Sequence, residues 1–347
     1  MGDVCNTSTG NKNTQDKTDD GIYPFYVRSQ TVERINSWTF DGEAILTAGD
    51  GVGVGKVFHH TYGKIGVHQR VYILSDFKCD ANYLFHFFSS KFYNRVKRMS
   101  AKNSVDSVRK EMITDMPLSL PCCQEQIKIG YMLSILDERI ATQNKIIEDL
   151  KKLKCAIIEK LYSEIQGKEY LYGQLFEVVN KRNKQMEYSN ILSASQEKGM
   201  VNRDGLNLDI QFERSNINTY KIVRAGDYVI HLRSFQGGFA FSDKLGVCSP
   251  AYTILRPNCL LEYGYLSYYF TSHRFIKSLI IVTYGIRDGR SINIEEWLNM
   301  KVIIPSKEYQ LHTLKILRSI EGKIENEETY TICLSNQKQY LLNQMFI

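Results

Sequence analysis

Residues 124–164 read QEQIKIGYMLSILDERIATQNKIIEDLKKLKCAIIEKLYSE, and this stretch decides how the rest of the chain is organised. Its apolar positions advance by alternating steps of four and three residues, which is the spacing of a coiled-coil seam. The stretch has no proline and a single glycine, Gly130, while Pro121 and Gly167 stand where a helix start and stop are expected. The pattern predicts one helix of roughly 40 residues, about 60 Å long, that packs along another helix.

The partner of this helix is predicted in the same chain, because the pattern recurs near the C-terminus at a constant offset, with Leu133 matching Leu317. The recurrence includes a lysine within the seam, which is Lys154 in the first copy and Lys338 in the second. The predicted apolar seam comprises Leu136, Ile140, Ile147, Leu150, Ile157 and Leu161 in the first helix, and Leu317, Ile320, Ile324, Leu334 and Leu341 in the second.

Other landmarks repeat at nearly the same offset, so the chain is predicted to be a tandem of two related halves. The glycine-acid pair at 42–43 matches the pair at 226–227, and Pro121 matches Pro305. Each half is therefore a globule followed by a long helix. The predicted boundaries are residues 1–121 for the first globule, 122–166 for the first helix, 167–305 for the second globule and 306–347 for the second helix.

Each globule is predicted to be of mixed α+β class. Short β-branched or aromatic runs bounded by Gly, Asn and Asp indicate strands. Two amphipathic segments rich in Phe and Tyr, residues 82–98 and 263–281, predict helices whose aromatic side chains fill the core. The predicted strands lie at residues 21–27, 44–47, 71–74, 227–232 and 251–255.

The composition is that of a globular protein with a basic bias. A hydrophobic content of 43% excludes a disordered chain, and a net charge of +6 suits a polyanionic partner without requiring one. No apolar run reaches the roughly 18 residues of a membrane span, and the N-terminus has no apolar signal segment, so we expect a cytoplasmic location. The eight cysteines form no CxxC pair, and we expect reduced, mostly buried thiols and no metal site.

Catalytic motifs are missing from the sequence. None of the six prolines is followed by Pro or Asp, which excludes an Asn-Pro-Pro-aromatic methyltransferase motif and a common nuclease signature. No HExxH or GxSxG occurs either. We therefore predict a chain that is not an enzyme and that carries no cofactor of its own.

The glycine-rich stretch at residues 47–56, TAGDGVGVGK, resembles a nucleotide-binding loop only superficially. A phosphate loop needs a glycine where Asp50 stands and a hydroxyl residue where Val57 follows Lys56. Two interpretations remain open, which are a pliant loop whose amides and Lys56 approach a phosphate backbone and a tight hairpin turn.

Basic and hydroxyl-rich loops provide the other predicted contacts with nucleic acid. Arg and Gln recognise guanine and adenine edges, and the segment 233–236 (RSFQ) offers both, although an exposed polar turn explains it equally well. The loops at residues 102–107 and 286–291 could bind phosphate or simply be solvated. The predicted DNA-binding residues are Lys12, Arg28, Gln30, Lys56, Arg70, Arg95, Lys97, Arg98, Lys102, Lys181, Arg182, Lys184, Arg233, Ser234, Gln236, Arg287 and Arg290.

The architecture resembles the specificity subunit of type I restriction-modification systems over essentially the full length. The resemblance rests on the repeated glycine-acid strands at 42–45 and 226–229, on the segments 107–121 and 291–305 that lead into the helices, and on the helix sequence itself, with LDERI at 136–140. It implies two target-recognition domains, each recognising half of a bipartite DNA sequence. The long helices would be antiparallel, set the gap between the half-sites and dock two methyltransferase subunits.

The resemblance further implies that S-adenosylmethionine, ATP and Mg²⁺ belong to partner subunits, among them a motor-nuclease restriction subunit. Two other functions stay open from the residues alone. One is a two-domain coiled-coil scaffold that binds protein rather than DNA, and the other is a nuclease with carboxylates drawn from scattered loops.

Overall fold

The computed structural model of the chain describes residues 1–99, 107–195, 198–203, 214–231, 238–284 and 291–346. It divides into two compact units. Unit 1 comprises Met1–Lys145 and Thr329–Ile347, and unit 2 comprises Ile146–Glu328. Each unit thus contains one globule and a part of both long helices. The domain boundaries at residues 121, 166 and 305 remain a prediction.

Unit 1 is built on a six-stranded sheet in the order β1-β6-β4-β5-β2-β3. All neighbours are antiparallel except β2 and β5, which are parallel. The elements are β1 (Asn6–Thr9), β2 (Tyr23–Tyr26), β3 (Val32–Ile35), β4 (Phe40–Ala48), β5 (Phe58–Val67), β6 (Val71–Ser75), α1 (Ala81–Met99), α2 (Lys110–Thr114) and the first long helix α3 (Cys123–Ser163).

Unit 2 contains a four-stranded sheet in the order β13-β12-β15-β8 and several two-stranded pairs. The elements are β7 (Lys168–Leu171), α4 (Tyr172–Leu175), β8 (Phe176–Val179), β9 (Leu192–Ser195), β10 (Gly199–Asn202), β11 (Lys221–Val223), β12 (Tyr228–Ile230), β13 (Phe239–Phe241), β14 (Gly246–Cys248), β15 (Thr253–Pro257), α5 (Tyr265–Tyr269), α6 (His273–Ser278), β16 (Thr283–Tyr284), β17 (Ser291–Ile292), α7 (Ile294–Leu298), β18 (Lys301–Ile304) and the second long helix α8 (Lys307–Met345).

Four strands of the unit 1 sheet have the same order as the four-stranded sheet of unit 2, which confirms the α+β class and the internal repeat. Strands β5-β4-β6-β1 of unit 1 correspond to β13-β12-β15-β8 of unit 2, and every neighbouring pair in both sets is antiparallel. The long helices begin at Cys123 and Lys307. These two starts are separated by the same number of residues as Leu133 and Leu317.

The prediction of one continuous helix at residues 263–281 is wrong. The chain forms α5, α6 and a 3₁₀ turn at Leu279–Val282 instead. The break falls where the Ser272 hydroxyl accepts a hydrogen bond from the Phe275 N–H and caps α6. A hydroxyl residue that satisfies a free N–H starts a new helix rather than continuing the old one.

The expectation of mostly buried cysteines is also wrong. All eight are free thiols, but only Cys5 and Cys248 are buried, and five are exposed. Cysteine behaves as a small hydrophobe, and four of the exposed five lie on the polar faces of the long helices or at their starts, where packing does not select it.

A buried glutamine fixes the first turn of each long helix. In unit 1 the Gln126 amide donates to the Pro121 carbonyl at 2.8 Å and accepts from the Asp80 N–H at 3.1 Å. In unit 2 Gln310 makes the matching pair of bonds, to the Pro305 carbonyl at 3.1 Å and from the Glu262 N–H at 2.8 Å. Each glutamine therefore ties a long helix to the segment that leads into the globule's own helix.

The predicted seam residues are buried or half-buried in both long helices. The seam lysines form ion pairs at positions related by the repeat. Lys154 contacts Glu321 at 2.5 Å in unit 2, and Lys338 contacts Asp137 in unit 1. In unit 2, Lys151 also pairs with Glu328 at 2.7 Å, so the partner number on α8 falls as the number on α3 rises. The helix segments within this unit are therefore antiparallel.

Replacing Gln310 by alanine should lower the free energy of unfolding by about 2–3 kcal/mol, because the Glu262 N–H and the Pro305 carbonyl lose their partner inside the protein. Urea denaturation followed by circular dichroism measures this. Gln339→Ala is the matched control, since Gln339 is exposed on the same helix and its side-chain amide donates to Asn343 of that same helix. Equal losses for both variants would contradict the role given to Gln310.

His86 should make the stability of unit 1 depend on pH. Burial lowers the pKa of this histidine to about 4, although Asp137 lies 3.7 Å from its Nδ1. The unfolded chain, with a histidine pKa of about 6.5, binds more protons between these values. The contribution of neutral His86 is thus complete above pH ~6.5 and is lost as the pH falls towards 4.

The urea midpoint should fall between pH 7 and pH 5, and this fall should be larger for the wild type than for His86→Gln. The control is His312→Gln, which removes an exposed histidine from α8. A pH dependence that is unchanged in His86→Gln would refute the assignment.

Candidate nucleic-acid interface

Strand pairing brings four loops of unit 1 to one end of its sheet. Ala48 at the end of β4 pairs with Val71 at the start of β6, and β1 ends opposite the same part of β6. Because β2 runs parallel to β5, these two strands also end side by side. The segments that follow β1, β2, β4 and β5 meet through backbone hydrogen bonds, since the Lys12 N–H donates to the Val67 carbonyl, the His68 N–H to the Tyr26 carbonyl and the Gly49 N–H to the Arg70 carbonyl. They carry the predicted contacts Lys12, Arg28, Gln30, Lys56 and Arg70.

Two of the predicted arginines converge on one carboxylate. Arg28 Nη1 lies 2.9 Å from Asp50 Oδ1, and Arg70 Nε lies 3.7 Å from Asp50 Oδ2. The side chains are 46% exposed for Arg28, 65% for Arg70 and 25% for Asp50. Asp50 is thus partly covered, while both guanidinium groups remain open to solvent.

Buried His68 connects this cluster to the loop after β1. Its Nδ1 accepts a hydrogen bond from the Arg70 N–H at 3.0 Å, so Nε2 carries the proton and donates to the Thr14 hydroxyl at 3.3 Å. Burial and the nearby Arg28 lower the pKa of His68, which keeps the imidazole neutral as this bonding requires. Lys12 pairs with His68 through the backbone. The cationic segments are therefore held in place by hydrogen bonds.

The glycine-rich segment is a turn-rich connection between β4 and β5, and no helix follows it. A Cβ on Gly53 would lie 2.4 Å from the Arg28 carbonyl oxygen, so only glycine allows this loop to approach the β2 loop. The Lys56 ammonium lies 5.5 Å from the centre of the Tyr93 ring of α1. The loop tip at Val52 is 97% exposed.

The basic residues near the end of α1 have different surroundings. Arg95 Nε donates to the Met112 carbonyl at 2.8 Å, which gives this side chain a structural bond. Arg95 and Arg98 line a cavity of about 550 Å³ beside residues 116–119, whereas Lys97 is exposed one turn beyond Tyr93. The structure therefore does not bring Arg95 and Arg98 into the cluster around Asp50.

Unit 2 presents its predicted cations around a buried asparagine. The Asn183 amide donates to the Tyr188 carbonyl at 2.8 Å and accepts from the Tyr188 N–H at 3.3 Å. This fixes the turn on which Lys181, Arg182 and Lys184 are exposed. The remaining predicted contacts, Lys102, Arg233, Ser234, Gln236, Arg287 and Arg290, lie outside the described residues.

Sequence reasoning missed Asp50, His68 and Asn183 as parts of these sites. Arg28 and Arg70, the partners of Asp50, are far from it along the chain on either side, so no local spacing marks it. For Asn183 a signal existed, because the Lys-Arg-Asn-Lys run at 181–184 parallels the Asn-Lys-Asn run at 11–13. Within the described ranges, no three His, Cys, Asp or Glu side chains could hold a metal ion, and no helix could cross a bilayer.

Comparison with known proteins identifies relatives of one kind. Residues 1–152 match the family model described as "Type I restriction modification DNA specificity domain". The chain is 27% identical over 162 residues to the type I restriction enzyme EcoDI specificity subunit of Escherichia coli, an alignment covering 46% of this chain and 36% of that subunit. It is 25% identical over 369 positions to the MjaVIII specificity subunit of Methanocaldococcus jannaschii, covering 93% of this chain and 85% of the relative.

Solved structures share the fold over the whole chain. The type I restriction-modification S subunit of M. genitalium superposes with a TM-score of 0.63 at 14% identity, covering 99% of this chain and 94% of that one. A chain from a study of complex assembly and conformational transition of the type I R-M system superposes with a TM-score of 0.57, also at 14% identity, covering 99% and 96%. Residues 1–152 thus match a DNA specificity domain of type I restriction-modification systems, and the whole chain shares the fold of a specificity subunit from such a system.

Proposed function

We propose that this chain is the sequence-specific DNA-recognition subunit of a type I restriction-modification complex, and that each globule recognises one half of a bipartite target. The observation that carries the proposal is the convergence of Lys12, Arg28 and Arg70 at one sheet end, inside the residues that match the DNA specificity family. Phosphates attract such cations, and base edges accept hydrogen bonds from them.

The long helices are proposed to set the gap between the two half-sites. Each is an unbroken helix of about 40 residues, which corresponds to about 60 Å. A stiff spacer keeps two recognition domains at a fixed separation, and equivalent faces of B-DNA recur every ~34 Å. The apolar seam and the ion pairs at Lys154 and Lys338 support stiffness, because they fix the register of the two helices.

The outer faces of the helices are proposed to dock two methyltransferase subunits. Large apolar side chains are exposed there at positions that the repeat duplicates, namely Ile127 with Leu311 and Ile146 with Tyr330. Duplicated apolar positions suit two copies of the same partner. The chain itself is proposed to be non-catalytic, with S-adenosylmethionine, ATP and Mg²⁺ bound by partner subunits. A motor-nuclease subunit is proposed to join for cleavage, and the complex is proposed to act in the cytoplasm.

The direct test is methylome sequencing of a host that carries this chain with its cognate methyltransferase. A split target sequence with a fixed gap is expected. DNA binding by the assembled complex should also weaken steeply with salt, whereas a scaffold that binds only protein would produce neither result.

Lys181 and Lys184 should contribute affinity without sequence preference. Replacing both by glutamine should make the plot of log affinity against log salt less steep by about two, because two phosphate contacts are lost. The methylated sequence should stay the same. Lys301→Gln with Lys307→Gln is the control, since it removes the same charge at the base of α8. A slope that matches the control would exclude Lys181 and Lys184 from the interface.

Lengthening both helices should widen the gap in the target. Four residues inserted after Gln143 in α3 and after Glu327 in α8 add one turn, about 6 Å, which corresponds to about two base pairs. Coiled coils accept such insertions with local unwinding. Methylome sequencing should then return the same half-sites with a longer gap, and an unchanged gap would exclude the helices as the spacer.

A further inference from the structure

Asp50 is a carboxylate in the middle of a cationic surface. Its charge opposes the approach of a polyanion, so its position weakens any binding that depends on phosphate attraction alone. Arg28 and Arg70 surround it, and His68 beneath them is neutral. An acid at this place needs a role that outweighs the repulsion.

The loop that carries Asp50 is held in place on both sides. At the base of its loop the Gly49 N–H donates to the Arg70 carbonyl at 2.7 Å, and the Val108 N–H donates to the Gly49 carbonyl at 2.7 Å. On the far side of the loop, Gly53 packs against the backbone of Arg28. Asp50 therefore occupies a fixed point between the two arginines, and its loop loses little conformational freedom when a ligand binds.

The contacts of Asp50 leave most of each guanidinium available. Arg28 uses Nη1 for the carboxylate, and Arg70 faces it with Nε at 3.7 Å, while a guanidinium carries five N–H donors in one plane. Orienting this planar group in advance favours bidentate acceptance by a ligand. The ligand also has to tolerate a nearby negative charge.

Phosphate and guanine differ in that respect. A phosphate oxygen bound by the same guanidinium would lie close to the Asp50 carboxylate and be repelled by it. The O6 and N7 atoms of guanine are neutral acceptors that pair bidentately with arginine in the major groove. An arginine oriented by a carboxylate is thus disfavoured for the DNA backbone and favoured for a guanine edge.

We infer that Asp50 is a positioning residue that directs Arg28 and Arg70 to guanine edges in the half-site recognised by unit 1. This inference rests on the proposed function, and it identifies guanine as the base that the site recognises. It assigns Asp50 a part in specificity that lowers total affinity.

The decisive variant is Asp50→Asn in the full chain, assembled with its methyltransferase. Removing the charge frees both arginines for phosphate, so affinity for unrelated duplex should rise and the salt plot should steepen by one to two. Affinity for the target relative to unrelated duplex should fall at least tenfold, and methylation should spread to sites with a substituted guanine in one half only. Asp41→Asn is the control, because it removes an exposed acid from the opposite end of the same strand.

Arg70→Gln provides a second measurement if Asp50→Asn assembles poorly. It should weaken target binding at least tenfold and change the affinity for unrelated duplex little. It should also remove the requirement for guanine at a single position of the half-site. An Asp50→Asn complex with wild-type specificity ratio and salt slope would overturn the inference. So would an equal fall in specific and unrelated binding, which indicates only a structural role. If the wild-type complex itself methylates no defined sequence, the proposed function fails first.

Discussion

The packing of α3 against α8 is the constraint on which both units depend. Its apolar seam is interrupted in each unit by one lysine that meets a carboxylate of the opposite helix, Lys154 with Glu321 and Lys338 with Asp137. A charge within an apolar seam costs stability unless its partner is in place, so a shifted alignment would leave these lysines unpaired. The ion pairs therefore select one register for the helices.

The register also sets where each globule is attached. Gln126 and Gln310 fix the first turns of the helices to the lead-in segments of α1 and α5. Farther along, His86 of α1 lies beside Asp137, and Tyr268 of α5 donates to Glu321 at 2.5 Å. The acids that pair with the seam lysines thus also contact the globule helices. A single set of polar groups aligns the long helices and anchors each globule to them.

At the cationic end of the unit 1 sheet, the directions of the side chains matter as well as their charge. Cations alone give affinity for any nucleic acid, whereas discrimination needs side chains whose directions are fixed. Here the fixing groups are Asp50 and neutral His68, held by backbone hydrogen bonds at the loop bases. Through their contacts with these two residues, the flexible arginine side chains are oriented relative to the rigid sheet.

The sequence by itself determined the long helices, their seam, the constant offset between the two halves and the α+β class, because periodicity and repetition are properties of the chain order. It also determined five strands, each of which overlaps an observed one, but not the other strands, the break at Ser272 or the exposure of the cysteines, which depend on strand pairing, local capping and packing. Only the tertiary structure decided which of the many Lys and Arg residues act together. Asp50, Arg28 and Arg70 are distant in sequence and meet because β2, β4 and β6 belong to one sheet and their loops share one end of it. A contact made by strand pairing has no local pattern, so it is decided when the sheet forms.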